Sequence, residues 1–150
     1  MKKLVLITTL LVFSCQEPKT ISEDEALSAF HNLFEVLDND LENFGSLVTN
    51  DFFIFENSKR YSLDEFIEFV KTFDIISSKR TFEDIKIDTD HSSAHISLKQ
   101  YGEFIISTPE GKAKLAFEWL ESAYMVKVDD VLKFKFYFSE AINTKTSSVN

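Results

Sequence analysis

The chain has 150 residues, of which 44% are hydrophobic and 27% are charged, and its formal net charge is −9 at pH 7. This length fits one domain with a core of its own, and the acidic balance excludes nucleic acid and anionic lipid headgroups as partners. The 16 phenylalanines indicate a bulky aromatic interior, and the single cysteine excludes an internal disulfide or a cysteine metal site.

The first fifteen residues have the layout of a secretory leader. Lys2 and Lys3 carry positive charge, residues 4–13 form an apolar run, and Ser14 stands directly before Cys15. This order is typical of a signal peptide, and the apolar run is shorter than the ~20 residues that a transmembrane helix needs. The small residue before a cysteine resembles a bacterial lipobox, which predicts lipidation of Cys15 and anchoring in the cell envelope. An ordinary signal peptide with an incidental cysteine is the alternative.

The first half of the mature chain is predicted to be mainly helical. Two capping boxes, in which serine and glutamate side chains satisfy free amides at a helix start, begin at Ser22 and Ser62. Apolar residues at helical spacing follow both boxes and also follow Asp40. The elements predicted in chain order are a signal peptide (1–14), a tether (15–21), two helices (22–37 and 40–48), a strand (51–56), a turn (57–60) and a third helix (62–73).

From Ser78 onward, apolar residues alternate with polar ones, which is the pattern of β-strands. Short turn-forming segments divide this half into successive antiparallel hairpins. The predicted strands cover residues 79–88, 94–107, 112–128 and 131–142, and residues 143–150 are predicted to be a disordered polar tail. Helices followed by long strands indicate a single α+β domain over residues 22–142.

Three stretches of the chain resemble the NTF2-like superfamily, the cone-shaped fold of nuclear transport factor 2, ketosteroid isomerase and SnoaL-like proteins. They are the strand at 51–56, the start of the third helix at 61–67 and the last hairpin at 121–134. The hairpin departs from the pattern at Asp130, where glycine is usual, and at Leu132, where tryptophan is usual. The resemblance implies three N-terminal helices packed on a strongly curved, mostly antiparallel sheet. It implies no particular function, because this fold hosts enzymes, binding modules and scaffolds.

Strand pairing predicts which side chains face the concave side of the sheet. Pairing the last hairpin about Asp129 and Asp130, and the preceding one about Pro109, places a mostly aromatic row on that side. Simple core packing is one interpretation of this row, and a pocket for a small apolar ligand is the other. The residues predicted to line the pocket are Phe34, Leu98, Phe117, Trp119, Phe134, Phe136 and Phe138. The outer face, which includes Tyr124 and Tyr137, is predicted to be mixed in polarity and is a candidate homodimer surface.

Glu121 is the strongest candidate for chemistry, because it interrupts the inward apolar row. Burial would raise the pKa of its carboxyl and allow it to act as a general acid or base. His31 on the first helix is its candidate partner. A carboxylate at the open rim or paired with a buried cation, and a half-solvated histidine, are the alternatives. Lys79 and Arg80 are predicted to be a surface pair.

No metal or cofactor is predicted. The three histidines lack metal-ligand spacing, and the sequence has no phosphate loop, dinucleotide fingerprint or nucleophile motif. The favoured function is therefore a non-catalytic envelope lipoprotein, held to the membrane by the lipid on Cys15, that binds a small apolar ligand or a protein partner. The alternatives are an enzyme of the isomerase, dehydratase or cyclase type that uses Glu121, with or without His31, as acid or base, and a structural dimer.

Overall fold

A computed structural model describes residues 20–149 of the chain. The predicted signal peptide, the lipidation site Cys15 and most of the predicted tether lie outside the described residues. The helical elements are α1 (Glu23–Asn39), a 3₁₀ helix (Leu41–Leu47) and α2 (Leu63–Val70). The strands are β1 (Val48–Glu56), β2 (Lys59–Ser62), β3 (Ile75–Thr89), β4 (Ser93–Thr108), β5 (Gly111–Val128) and β6 (Val131–Val149). The α+β prediction is confirmed.

Both α-helices begin where the capping boxes predict. Ser22 Oγ accepts a hydrogen bond from the backbone N–H of Glu25 at 3.1 Å, and α1 buries Phe30 and Phe34 on its inner face. At α2, Ser62 Oγ accepts from the N–H of Glu65, whose carboxylate accepts from the N–H of Ser62 at 2.8 Å. These reciprocal bonds satisfy amides that the first turn of a helix leaves free.

The six strands form one sheet in the order β2-β1-β6-β5-β4-β3, in which only the β1–β6 pair is parallel. The sheet is curved, and the helices pack on its concave side. The strand β2 lies where the sequence predicts the end of a turn and the start of a helix. Asn57 and Ser58 both have positive φ, so the chain reverses within two residues and pairs again with β1 at once.

The predicted pairing of β4 with β5 is confirmed, with Leu98 opposite Glu121 and Gly102 opposite Phe117. The pairing of β5 with β6 begins as predicted, with Met125 opposite Phe134, and then shifts by one residue at Lys135. One extra residue in a strand moves all following side chains to the opposite face.

The shift at Lys135 makes the predicted orientations of Phe136, Tyr137 and Phe138 wrong. Tyr137 and Ser139 are buried on the concave side, whereas Phe136 and Phe138 lie on the outer face. There Phe136 packs against Phe53, with their ring centroids 5.1 Å apart.

The predicted disordered tail is also wrong over its described part. β6 continues through Val149 and pairs with β5, so that Lys112 stands opposite Val149 and Phe117 opposite Thr144. The tail is polar, but the first half of β5 needs a partner on this side for its backbone groups, and residues 143–149 provide it.

Candidate functional site

A cavity of about 520 Å³ opens between the helices and the concave side of the sheet. Its walls are mainly apolar, and Phe117 stacks on Trp119 with ring centroids 4.7 Å apart. Phe73, Ile75 and Ile76 lie at its edge and are exposed to solvent. A concave apolar space with a few polar groups is the usual form of a small-molecule site.

Three of the seven predicted pocket residues line this cavity, namely Phe34, Phe117 and Trp119. Leu98 and Phe134 are buried in the hydrophobic core outside the cavity wall. Phe136 and Phe138 were expected in the wall, and this expectation is wrong because the bulge in β6 turns them to the outer face.

Glu121 lies in the cavity wall and is only 6% exposed, so it is not a carboxylate at the open rim. Burial raises the pKa of its carboxyl to about 8. Ser139, directly opposite on β6, donates a long hydrogen bond of 3.4 Å to Glu121 Oε1. Glu121 is therefore largely protonated at neutral pH, a state in which a carboxyl can donate as well as accept a hydrogen bond.

Arg80 lies in the same wall, whereas the sequence predicts it on the surface. Its Nε and Nη2 donate to the two carboxylate oxygens of Asp38 at 3.0 and 2.7 Å. Its guanidinium also lies between the rings of Phe34 and Phe104, 4.8 Å from each ring centre. A planar guanidinium suits this combination of a bidentate carboxylate and flanking aromatic faces.

Gln100 connects Arg80 to Glu121. When its amide is oriented to satisfy both neighbours, the oxygen accepts from Arg80 Nη1 at 2.9 Å and the nitrogen donates to Glu121 Oε2 at 3.2 Å. Gln100 is itself fully buried. The polar wall is thus a connected network from Asp38 through Arg80 and Gln100 to Glu121.

Two further polar groups adjoin this network. Glu56 lines the cavity at the end of β1, and burial raises the pKa of its carboxyl to about 7. Asn57 Nδ2 donates to Glu56 Oε1 at 2.8 Å. The buried Tyr137 hydroxyl lies beside Glu121, yet it makes no hydrogen bond of acceptable geometry within residues 20–149.

His31 lies away from the cavity. It is exposed on α1, outside the described cavity wall, with its ring against Phe82 at a centroid distance of 5.4 Å. The predicted pairing of His31 with Glu121 across the cone is therefore wrong, because His31 lies on the solvent side of α1.

The sequence contains a signal for some of the missed residues. Gln100 follows Leu98 by two positions on β4, so strict alternation places it inward beside Glu121. Arg80 offers no such signal, because its partner Asp38 is 42 residues away and only the packing of α1 on β3 brings them together.

Two kinds of structural feature are absent from residues 20–149. No helix there is long and apolar enough to cross a membrane. No group of three or more His, Cys, Asp or Glu side chains in the described part of the chain is arranged to hold a metal ion.

Neither a protein-family model nor a curated protein sequence matches the chain. Solved structures do match it. A protein from Novosphingobium aromaticivorans assigned as a scytalone dehydratase is 17% identical and has a TM-score of 0.67, with 85% of this chain and 88% of that chain covered. An NTF2-like protein from Cytophaga hutchinsonii is also 17% identical, with a TM-score of 0.63 and coverage of 79% and 97%.

Two other matches are proteins described with roles of different kinds. A type 2 hexachlorocyclohexane dehydrochlorinase, LinA, is 10% identical with a TM-score of 0.67, covering 86% of this chain and 95% of that chain. The association domain of CaMKII from C. elegans is 12% identical with a TM-score of 0.63, and the coverage is 79% and 94%. Matches at this level of identity show the fold alone. The element order and these structural neighbours indicate the same fold: the chain has the cone-shaped fold of the NTF2-like superfamily.

Proposed function

We propose that this protein is an envelope lipoprotein whose cavity binds a small, mainly apolar ligand and releases it unchanged. The observation that carries the proposal is the cavity of about 520 Å³, in which one polar wall faces apolar and aromatic side chains. Burial of apolar ligand surface supplies affinity, and a few fixed polar groups select orientation. The side chain of His31, the candidate second group of the enzyme hypothesis, lies on the solvent side of α1.

Native mass spectrometry of the full chain purified from its own host tests this proposal. We expect a copurifying small molecule that is lost in Ile106→Trp, which would fill the cavity. Ile105→Trp is the matched control, because the next residue of β4 points to the other face. Recovery of the same molecule with both variants would contradict binding in the cavity.

The membrane anchor is proposed from the leader alone. Its support is the order of Lys2 and Lys3, an apolar run, Ser14 and Cys15. We expect incorporation of a palmitate analogue and recovery in the membrane fraction, both of which Cys15→Ala should abolish. Ser14→Ala keeps a small residue before the cysteine and should remain lipidated. Unchanged labelling of Cys15→Ala would contradict the anchor.

An enzyme that uses Glu121 is the second candidate. Its support is a buried carboxyl that titrates near neutral pH, and two structural neighbours that are described as a dehydratase and a dehydrochlorinase. The molecule recovered by native mass spectrometry should be incubated with the protein and with Glu121→Gln. A change in the NMR spectrum of this molecule that requires Glu121 would favour the enzyme, because NMR also detects isomerisation and cyclisation, which conserve mass. An unchanged spectrum with both proteins would favour simple binding.

Homodimerisation through the outer face of the sheet is proposed as an accompanying property. The support is an aromatic cluster of Phe53, Phe55 and Phe136 beside the exposed side chains of Leu120 and Tyr124. A structural neighbour is itself described as an association domain. Exposed apolar patches of this kind commonly mark protein interfaces.

A further inference from the structure

Among the described residues, the cavity wall contains more acidic groups than basic ones. Arg80 is the positive group there, and Asp38 holds it through a bidentate contact. Its remaining Nη1 donates to Gln100 in the amide orientation described above. Neither Glu56 nor Glu121 forms an ion pair with any residue from 20 to 149. The cavity therefore contains two carboxyl groups without a cation of their own.

The Tyr137 hydroxyl is a second, independent sign of a missing polar partner. It is buried and lines the cavity, and its polar neighbour among the described residues is the Glu121 carboxyl, with which it makes no hydrogen bond of good geometry. A buried hydroxyl without a partner costs about 1–3 kcal/mol, so a native structure rarely leaves one unused. A polar ligand group placed near Glu121 would provide that partner.

We propose that the ligand is a protonated amine with an apolar body, whose ammonium group lies among Glu121, Glu56 and the Tyr137 hydroxyl. This inference rests on the proposed function, and it adds the chemical class of the ligand. An ammonium group takes the place of a proton that the buried carboxyls otherwise hold, and it donates to carboxylate and hydroxyl oxygens. The stacked rings of Phe117 and Trp119 provide an apolar and cation-tolerant wall for the body of the ligand.

Amine binding should release protons. Without ligand, burial keeps the pKa of Glu121 at about 8 and that of Glu56 at about 7. Arg80 and the Ser139 hydroxyl lower both pKa values, and the Tyr137 hydroxyl lowers that of Glu121. Glu56 raises the pKa of Glu121, and Glu140 raises that of Glu56. An ammonium group beside Glu121 and Glu56 lowers both pKa values, so affinity should rise from pH 6 to pH 8.

A neutral hydrogen-bond acceptor is the competing ligand class. For such a ligand, affinity should fall from pH 6 to pH 8, the opposite of the change expected for the amine. Such a ligand would accept from the protonated carboxyl of Glu121 and would lose this donor as the pH rises. A carboxylate ligand would be repelled increasingly as Glu56 and Glu121 ionise with rising pH. Three probes with the same apolar body therefore separate the classes: phenylbutylamine, phenylbutanol and phenylbutyrate.

The experiment titrates each probe into the full chain at pH 6 and pH 8. Binding is followed by calorimetry and by the fluorescence of Trp119, the only tryptophan of the chain. At pH 8 we expect the amine to bind about tenfold or more tightly than the alcohol, as is typical of close buried charge pairs. Calorimetry in two buffers of different ionisation enthalpy should show proton release with the amine only.

Matched variants locate the effect. Glu121→Gln should weaken the amine about tenfold and leave the alcohol unchanged. Glu118→Gln removes a carboxyl from the outer face of the same strand and should leave the affinities for the amine and the alcohol unchanged. The proton-release measurement uses the unaltered protein, so it stands even if Glu121→Gln fails to fold.

The outcomes are distinguishable. If the alcohol binds as tightly as the amine, or no proton is released, the ligand is not an amine, while ligand binding in the cavity remains supported. If none of the three probes binds and Ile106→Trp copurifies with the same molecules as the unaltered protein, the proposed function is itself wrong, and the amine proposal is overturned with it.

Discussion

Arg80 brings a positive charge into an aromatic part of the cavity wall, and Asp38 compensates it there. The two side chains are only 12% and 19% exposed. Removing one partner of a buried ion pair leaves an uncompensated charge, which costs about 3 kcal/mol or more. We expect Asp38→Asn to lower the free energy of unfolding by about 3 kcal/mol, measured by urea denaturation.

A surface ion pair serves as the control for Asp38→Asn. Lys71 and Glu68 form an ion pair on α2 and its C-terminal cap, with side chains 56% and 74% exposed. Glu68→Gln should change the free energy of unfolding by less than about 1 kcal/mol. A similar small change for Asp38→Asn would show that Arg80 does not depend on this partner.

Glu121 makes stability depend on pH, and the direction follows from its raised pKa. Between its ordinary pKa of 4.5 and about 8, the unfolded chain loses this proton while the folded protein keeps it. The free energy of unfolding therefore falls as the pH rises through this range. Glu121→Gln removes this dependence, so from pH 5 to pH 8 the variant should gain roughly 3 kcal/mol relative to the unaltered protein.

Urea denaturation at several pH values measures this difference, and Glu118→Gln is again the control. It should keep the slope of the unaltered protein, because Glu118 lies on the outer face of β5. Equal slopes for all three proteins would mean that Glu121 is ionised in the folded state.

At the scale of the elements, the sequence predicts those helix starts and strand registers that depend on the local pattern of residues. The capping serines Ser22 and Ser62 place both α-helices, and alternation gives the β4–β5 register. The bulge at Lys135 carries no comparable signal, because nothing in the local sequence distinguishes it from regular alternation. Because of that one residue, β6 contributes Tyr137 and Ser139 to the cavity wall instead of the predicted Phe136 and Phe138.

The cavity wall also depends on events that only tertiary structure decides. Arg80 is paired across α1 and β3, and residues 143–149 become strand because β5 offers an open edge. A polar segment is disordered only when nothing nearby can pair with it. Composition gives the apolar character of the cavity, whereas its charged network requires the assembled fold.

Gly102 allows the aromatic wall to pack closely on β4. A Cβ atom at this position would lie 2.7 Å from Trp119 and 2.8 Å from Phe104. We expect Gly102→Ala to lower the free energy of unfolding by about 1–3 kcal/mol, as overpacked cores do, and to shift the emission of Trp119.

Gly45 in the 3₁₀ helix is the matched control for Gly102→Ala. A Cβ atom there would meet only Leu63, at an ordinary contact distance of 3.5 Å. Gly45→Ala should therefore leave the emission of Trp119 unchanged and alter stability by less than about 1 kcal/mol. An unchanged emission in Gly102→Ala would mean that Trp119 is not held against β4.

At the scale of the whole molecule, the outer face of the sheet contains apolar side chains that no helix within residues 20–149 covers. Tyr124 stands directly opposite Phe136, which packs against Phe53 and Phe55. A second copy related by twofold symmetry would cover the same patch on both partners, because such an interface is self-complementary. We expect sedimentation to show a monomer–dimer equilibrium, in which the average mass rises with protein concentration.

A charge at the centre of this patch should separate the copies, because an unpaired carboxylate is costly to bury. Tyr124→Asp is therefore expected to sediment as a monomer at concentrations where the unaltered protein is dimeric. Ile85→Asp is the matched control, since Ile85 is 37% exposed against 38% for Tyr124 but lies on the edge strand β3. If Ile85→Asp also gave monomers, or if the unaltered protein stayed monomeric at high concentration, the outer face would not be the site of association.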